Sequence, residues 1–264
     1  MKIAIAGASG RMGRTLIETV LASADMQLHA AFDRADSPAL GTDPAAFLGQ
    51  ATGLSITSDL DRGLPGCDAL IDFTRPAATR EYLSACVRHG VAMVIGTTGF
   101  DDTDRQQLAE SAKLIPIVQA PNMSPGVNIA IRLIELATQA LKDYDIEVIE
   151  AHHRHKVDAP SGTALAIGDA IAGQLGKPLK DIGVFAREGH TGPRAAGSIG
   201  FSTIRGGDIV GDHTVMFAGP GEQIEIRHRA TNRMHYADGS MKACRFLAGR
   251  THGLFTMRDV LGLD

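Results

Sequence analysis

Cysteine, net positive charge and long apolar runs are what this sequence has least of. Its three cysteines are odd in number among 264 residues. Cys67, Cys86 and Cys244 lie far apart and form no C-x-x-C pair, which excludes a disulfide framework and reads as reduced thiols of structural role in a cytosolic protein. A formal net charge of -4 excludes the strongly basic footprint of a nucleic-acid binder. No apolar run reaches the length needed to cross a bilayer. The opening "MKIAIAGASG" turns glycine-rich after five residues, which is the pattern of a strand and turn and not of a signal peptide. What remains, 44% hydrophobic and 21% charged residues, fits a folded cytoplasmic protein with one large domain or two ordinary ones.

The first half alternates strands with helices. "KIAIAG", "MQLHAAFD" (26–33), "DALIDFT" (68–74), "VAMVIGTTG" (91–99) and "IPIVQAPN" (115–122) are short apolar runs closed by turn residues, fit for buried parallel strands. Leu16, Ile17, Val20 and Leu21 recur at helical spacing over about 11–23, and "AATREYLSACVRHG" and "DTDRQQLAESAKL" are helical in composition. This order implies a doubly wound parallel sheet.

Two signals in that half carry chemistry. "GASGRMG" spaces Gly7, Gly10 and Gly13 one residue off the usual dinucleotide fingerprint. Glycines there allow a tight turn and bring backbone N–H groups close to a pyrophosphate at a helix N-terminus. A glycine triplet alone is a weak signal; its place between a strand and a helix is the context the motif requires. Asp33 stands twenty residues past Gly13, where a carboxylate accepts from the adenosine ribose 2′-hydroxyl, and Arg34 beside it suits a 2′-phosphate. One residue favours NADH and its neighbour NADPH, so use of both is expected. An exposed turn with two ordinary charges is the competing reading, stronger for Arg34. "GTTG" (96–99) and "APNMSPGVN" (120–128) end the next strands, where ligands of open α/β sheets bind. Ser124 and Pro125 then open a helix over about 126–141 whose apolar residues cover more than one face, which predicts burial between two domains.

After Asp143 the pattern changes. "DIEVIEA" (145–151) is strand-like and "GTALAIGDAIAGQL" (162–175) is helical. Residues 198–231 alternate and are punctuated by "RGGD" and "AGPGE", which predicts antiparallel sheet with hairpins. "AREGHTGPRAAGS" (186–198) is the one linker-like stretch, and the last thirty residues return to helix and are expected to rejoin the first domain.

The densest stretch is "EAHHRHKVDAPSGTA" (150–164). His152, His153 and His155 are too close in sequence to aim at one ion from a strand end, and no H-x-x-x-H or H-E-x-x-H pair exists, so no metal is expected. Nearby stacking aromatics are missing as well, against nucleic acid. A solvated basic loop is the plain alternative. What shifts the balance is Pro160-Ser161-Gly162-Thr163, which opens a helix whose free N–H groups suit a carboxylate, with Lys156 adding a full charge. Histidine supplies a proton donor that titrates near neutrality. Beside a hydride donor, such a pocket describes reduction of a small anion.

"GASGRMG", "DFT", "GTTG", "APNMSPGVN", "EAHHRHKVDAPSGTAL" and "RGGDIVGDHTVMF", in this order, resemble the 4-hydroxy-tetrahydrodipicolinate (dihydrodipicolinate) reductase family of lysine and diaminopimelate synthesis. The resemblance implies an NAD(P)H-dependent reductase acting on a small cyclic dicarboxylate, with an N-terminal Rossmann domain and a C-terminal α+β domain on a mixed or antiparallel sheet. It also implies a homotetramer. Pattern and resemblance together place a dinucleotide-binding domain in 1–124 plus 233–264 and a substrate-binding and oligomerisation domain in 125–232. Carried over by residue, His152 resembles the catalytic proton donor and Lys156 its partner, and His153, Gly162 and Thr163 match substrate contacts. Gly7, Ala8, Ser9, Gly10, Arg11, Met12, Asp33, Arg34, Gly96, Thr97, Thr98, Ala120, Pro121, Asn122 and Met123 match cofactor contacts. Met123 stands where the family often has phenylalanine, and Asp33 where a longer glutamate is also common.

Two other functions share parts of this pattern. A semialdehyde dehydrogenase needs a nucleophilic cysteine, and none of the three lies in a pocket segment. A pyridine-nucleotide sensor needs an interaction module, and no helix-turn-helix or basic region is present.

Overall fold

Ile3, Ala4 and Ile5 are wholly buried, and a strand buried on both faces is what a parallel sheet under two helical layers requires. The structure, a computed structural model, describes residues 1–263. Its first elements are β1 (Lys2–Ala6), α1 (Arg11–Ala22), β2 (Gln27–Phe32), α2 (Leu60–Gly63), β3 (Ala69–Asp72), α3 (Pro76–His89), β4 (Ala92–Ile95), α4 (Asp102–Ser111) and β5 (Pro116–Gln119). Pro125 starts α5, which runs to Ala140. All five expected strands form. β1 pairs in parallel with both β2 and β3, and β4 lies parallel between β3 and β5. Capping is explicit in α4, where Asp101 accepts from the Asp104 amide and Asp104 from the Asp101 amide, satisfying two N-terminal donors.

The second unit spans 126–232. It contains β6 (Asp145–His152), α6 (Gly162–Gln174), α7 (Leu179–Ile182), β7 (Gly183–Val184), β8 (Ile199–Arg205), β9 (Gly211–Gly219) and β10 (Glu222–Ala230). Its sheet runs in the order β10-β9-β6-β8-β7. β9 and β10 form the expected hairpin around Pro220 and Gly221. The expectation of a hairpin at "RGGD" is corrected: β8 pairs in parallel with β6, and β9 lies on β6's other side, antiparallel. Helix α6 carries the chain back to the start of the sheet, so β8 enters in the direction of β6, and alternation within β8 carries no sign of direction. Ile146, Val148, Ile199, Phe201, Val215 and Phe217 build the core with Ala164, Ile167 and Ile171 of α6 and Ile134 of α5. The expected burial of α5 on several faces is also corrected, because Ile129, Leu133 and Leu136 are exposed along one stripe.

From Arg233 the chain belongs to the first unit again, with α8 (Met234–Leu247), β11 (Gly253–Phe255) and α9 (Met257–Leu261). Strand β11 was not legible in the sequence: three residues, Gly253, Leu254 and Phe255, pair in parallel with β5 and complete a six-stranded sheet in the order β11-β5-β4-β3-β1-β2. Ala237, Met241, Ala243, Cys244 and Leu247 of α8 share one core with Ile3 and Ile5. The fold is thus a Rossmann-like parallel sheet plus a second, mixed sheet. Among the described residues no helix is long and apolar enough to cross a membrane.

Candidate active site

In the first unit, the candidate cofactor residues follow the carboxyl ends of β1, β2, β4 and β5, four strands of one parallel sheet. Backbone hydrogen bonds tie these ends together: the Ala8 amide donates to the Phe32 carbonyl at 2.9 Å, Gly96 to Asp72 at 2.8 Å, and Ala120 to Ile95 at 3.1 Å. Gly7 has φ 64°, the left-handed region that favours glycine. At Gly13 a β-carbon would sit 2.1 Å from the Gly7 carbonyl oxygen and 2.8 Å from the Ala8 α-carbon, so the loop can lie against α1 only over glycine. Gly10 caps α1 with no side-chain hydrogen bond, and no acidic residue lies in the first turn. The Arg11 to Gly13 end of α1 therefore keeps the character of an anion site. This fits a dinucleotide pyrophosphate.

The Asp33 carboxylate accepts from the Ser9 amide at 3.0 Å and from the Arg34 amide at 2.9 Å. It is thereby fixed to the glycine loop. The Arg34 guanidinium instead points to Asp36 at 3.0 Å, both largely exposed. Thr97 and Met123 are buried, Met123 completely, within the same core as Ala237 and Met241. Any cofactor contact at 123 therefore runs through its backbone. The Asn122 side chain accepts from the Ser124 amide at 2.9 Å, a local turn that holds the loop ahead of α5. Asp72, fully buried, accepts from Thr74 and from Thr79. Burial raises its titration above the ordinary carboxylate range, and the threonine donors offset part of that.

The second unit collects the other candidates at the end of β6. The Asp145–His152 alternation puts Ile146, Val148, Glu150 and His152 on the buried face, so an acid and a base follow two aliphatic residues into the core. Glu150 is 1% exposed and His152 9%. His152 Nδ1 lies 2.6 Å from Glu150 Oε2. Arg205 donates to both oxygens of Glu150 at 2.8 Å, and the Ser161 amide adds a third donor at 3.0 Å. Burial works against the charge on Glu150, but Arg205, His152 and Ser161 outweigh it, and the carboxyl titrates below its ordinary range. Burial also lowers the titration of His152, partly opposed by Glu150. His213 on β9 crosses the His152 ring edge-on at 5.1 Å and shares a 3.0 Å hydrogen bond with the Ser161 hydroxyl. Burial pushes His213 down to about 4.

Ser161 caps α6 by accepting from the Ala164 amide at 3.1 Å. Lys156 Nζ is 2.8 Å from Asp158 Oδ1. Lys156, aided by the Gly162 amide, holds the Asp158 carboxyl below its usual range. A carboxylate thus already sits where the ammonium and the first amide of α6 converge. His153 is partly buried, with its ring 6.2 Å from that of His155, and Thr163 lies in the first turn of α6. Among the described residues no group of three or more His, Cys, Asp or Glu could hold a metal ion.

Comparison with known proteins decides the family. The model described as "Dihydrodipicolinate reductase, N-terminus" matches residues 1–123, and that described as "Dihydrodipicolinate reductase, C-terminus" matches 126–261. The chain belongs to the dihydrodipicolinate reductase family. It is 61% identical to the 4-hydroxy-tetrahydrodipicolinate reductase of Cupriavidus pinatubonensis, over all of both chains. To that of Herminiimonas arsenicoxydans it is 58% identical, over all of this chain and 98% of the other. A dipicolinate-bound dihydrodipicolinate reductase from a Paenisporosarcina species superposes with a TM-score of 0.78 at 26% identity, covering 98% of each chain. A probable dehydrogenase from Thermotoga maritima shares the fold alone, with a TM-score of 0.64 at 11% identity. As a dihydrodipicolinate reductase the chain is an oxidoreductase that uses a nicotinamide cofactor.

Sequence reasoning passed over Glu150, Arg205 and His213 as site residues. The signal for Glu150 was present: an acidic residue in register with apolar ones, two before a histidine. Arg205 and His213 join only because β8 and β9 flank β6, a pairing no local pattern reveals.

Proposed function

We propose that this protein reduces 4-hydroxy-tetrahydrodipicolinate to tetrahydrodipicolinate, with loss of water, in cytoplasmic diaminopimelate and lysine synthesis. The observation that carries the reading is the carboxylate seat formed by Lys156 and the α6 N-terminus, with Lys156 four residues beyond the buried His152. Residues 1–124 plus 233–264 serve the cofactor in this reading, and 125–232 serve substrate and assembly. A bound reduced nicotinamide supplies the hydride. Within Gly7 to Met12, the amides of Arg11 and Met12 at the start of α1 would hold the pyrophosphate, Asp33 and Arg34 would meet the ribose, and Gly96 to Thr98 with Ala120 to Met123 would flank the nicotinamide.

Gly162 and Thr163 bind one substrate carboxylate through their amides. Lys156 leaves Asp158 for the substrate; the pair is partly exposed, and such pairs are held by only about 0–1 kcal/mol. His153 contacts the substrate, and His152 delivers a proton to the ring carbon beside the reduced one while Lys156 offsets developing negative charge. Both NADH and NADPH serve. Asp33 is fixed to the glycine loop, where a ribose hydroxyl would meet it, and Arg34 is held by an exposed ion pair that a 2′-phosphate can displace.

A coupled assay tests this. Pyruvate and aspartate semialdehyde are condensed by a separate synthase, and oxidation of NADH and then NADPH is followed on adding this protein. Synthase-dependent oxidation is the expected result; binding of both cofactors with no oxidation would reject the substrate. Assembly into a homotetramer belongs to the same reading. Support comes from the open face of the second sheet, where Ile149 and Ile204 lie outside the core and Ile204 is exposed. Sedimentation velocity at micromolar concentration should return four times the chain mass, and a monomer would reject it.

A further inference from the structure

Glu150, Arg205, Ser161 and His213 come from four different segments and close around one side of the His152 ring. The two oxygens of Glu150 receive four donors: Arg205 twice at 2.8 Å, the Ser161 amide at 3.0 Å and His152 Nδ1 at 2.6 Å. Arg205 is itself anchored a second time, to the Asp158 carbonyl at 2.5 Å. A carboxylate held on so many sides has no freedom to turn away. As an acceptor it requires a hydrogen on the nitrogen that faces it. The far side of the ring is built differently. A β-carbon at Gly211 would begin 3.2 Å from His152 Nε2, so glycine at 211 keeps a side chain from crowding that nitrogen.

We propose that Glu150 is the positioning residue of the reductase: it fixes neutral His152 as the Nδ1–H tautomer and leaves Nε2 as the nitrogen that gains and gives the proton. The proposal rests on His152 being the proton donor. In the charged form both nitrogens carry hydrogen. When Nε2–H gives its proton to the substrate carbon, the N–H electron pair stays on Nε2, and the Nδ1–H bond to Glu150 is unchanged. Arg205 acts one step further back by fixing Glu150. This gives a use to the arginine of "RGGD", which the pairing of β8 with β6 brings to Glu150.

The test reads the tautomer directly. The protein is labelled with nitrogen-15 in its histidine rings, and the His152 signals are assigned by their loss in His152→Gln. Above the titration of His152, Nδ1 should show the shift of a protonated ring nitrogen and Nε2 that of an unprotonated one. The opposite pattern overturns the proposal, whatever the substrate proves to be, so its failure is separable from failure of the reductase reading. Glu150→Gln supplies the kinetic side. In the coupled assay kcat should fall on the order of 10–100-fold, the range seen when an orienting partner is lost, with KM for substrate within about threefold. In a His152→Gln background the same change should cost almost nothing further, because residues acting as a unit are not additive. An equal loss in both backgrounds would show that Glu150 does not act through His152. Should Glu150→Gln fail to fold, the ring-nitrogen measurement on the unmutated protein decides alone.

Discussion

His152 and Lys156 differ in what their loss should reveal. As the proposed proton donor, the buried His152 acts in the reacting step, so His152→Gln should lower kcat by about 10²–10⁴-fold. Quenching of reduced-nicotinamide fluorescence should show cofactor binding retained; unchanged turnover would remove His152 from the mechanism. In the proposed reading Lys156 binds a substrate carboxylate before any bond changes, in the place that Asp158 occupies at 2.8 Å. Lys156→Met should therefore raise KM as well as lower kcat. If only kcat moved, the ammonium would be acting in the transition state alone. The residue scale is also where reading from sequence went furthest. Histidine and lysine beside a Pro-Ser-Gly-Thr helix start could be read locally, because each property depends on chemistry within a dozen residues. Glu150 could be placed on the buried face by alternation, but its four donors come from segments up to 55 residues away, and spacing carries no trace of them.

Among the elements, the turn between β1 and α1 makes the strictest demand on sequence. Three backbone atoms would lie within 2.8 Å of a β-carbon at Gly13, and none can swing aside as a side chain could. Gly13→Ala should cost about 1–3 kcal/mol, as overpacking does, and weaken cofactor binding, measured by urea midpoint and by fluorescence titration. Gly173→Ala, in α6 with nothing within 4 Å of its added carbon, is the control: it should be neutral or stabilising by about 0.5–1 kcal/mol. Equal behaviour of the two would mean that the loop shifts freely. The strands β1 to β5 could be read because each is an apolar run ended by turn residues. Strand β11 could not, since three residues are too few to show a period and its pairing with β5 crosses more than 130 positions. The direction of β8 was hidden for a related reason: parallel and antiparallel strands alternate alike.

At the scale of the whole molecule, acid should weaken the fold in two windows. His213 titrates at about 4 in the folded chain, below the roughly 6.5 of an unfolded one. Its contribution is therefore complete above about pH 6.5 and is lost as pH falls toward 4, amounting to about 3 kcal/mol at most. Asp25, held at about 2 by Arg245 of α8, contributes above its unfolded value of 3.8 and loses that as pH falls toward 2. The thermal midpoint should accordingly drop between pH 7 and pH 5, and His213→Gln should flatten the drop. An identical slope in the variant would place the effect elsewhere, with His152 and His228, also lowered by burial, next in line.

The late return of the chain to its first sheet also has a consequence in time. During synthesis β1 to β5 leave the ribosome while α8 and β11 are still untranslated, and at ordinary elongation rates the 107 residues from Gly126 to Asn232 take roughly 5–20 s to make. Over that interval Ile3 and Ile5 lack the α8 side chains that share their core, and β5 lacks its outer neighbour. The second unit, continuous in sequence with its own core, has everything it needs as soon as Asn232 emerges. The part of the protein translated first is then the last to be finished, and a released chain that ends at residue 232 should expose residues 1–125 to protease while 126–232 resist it.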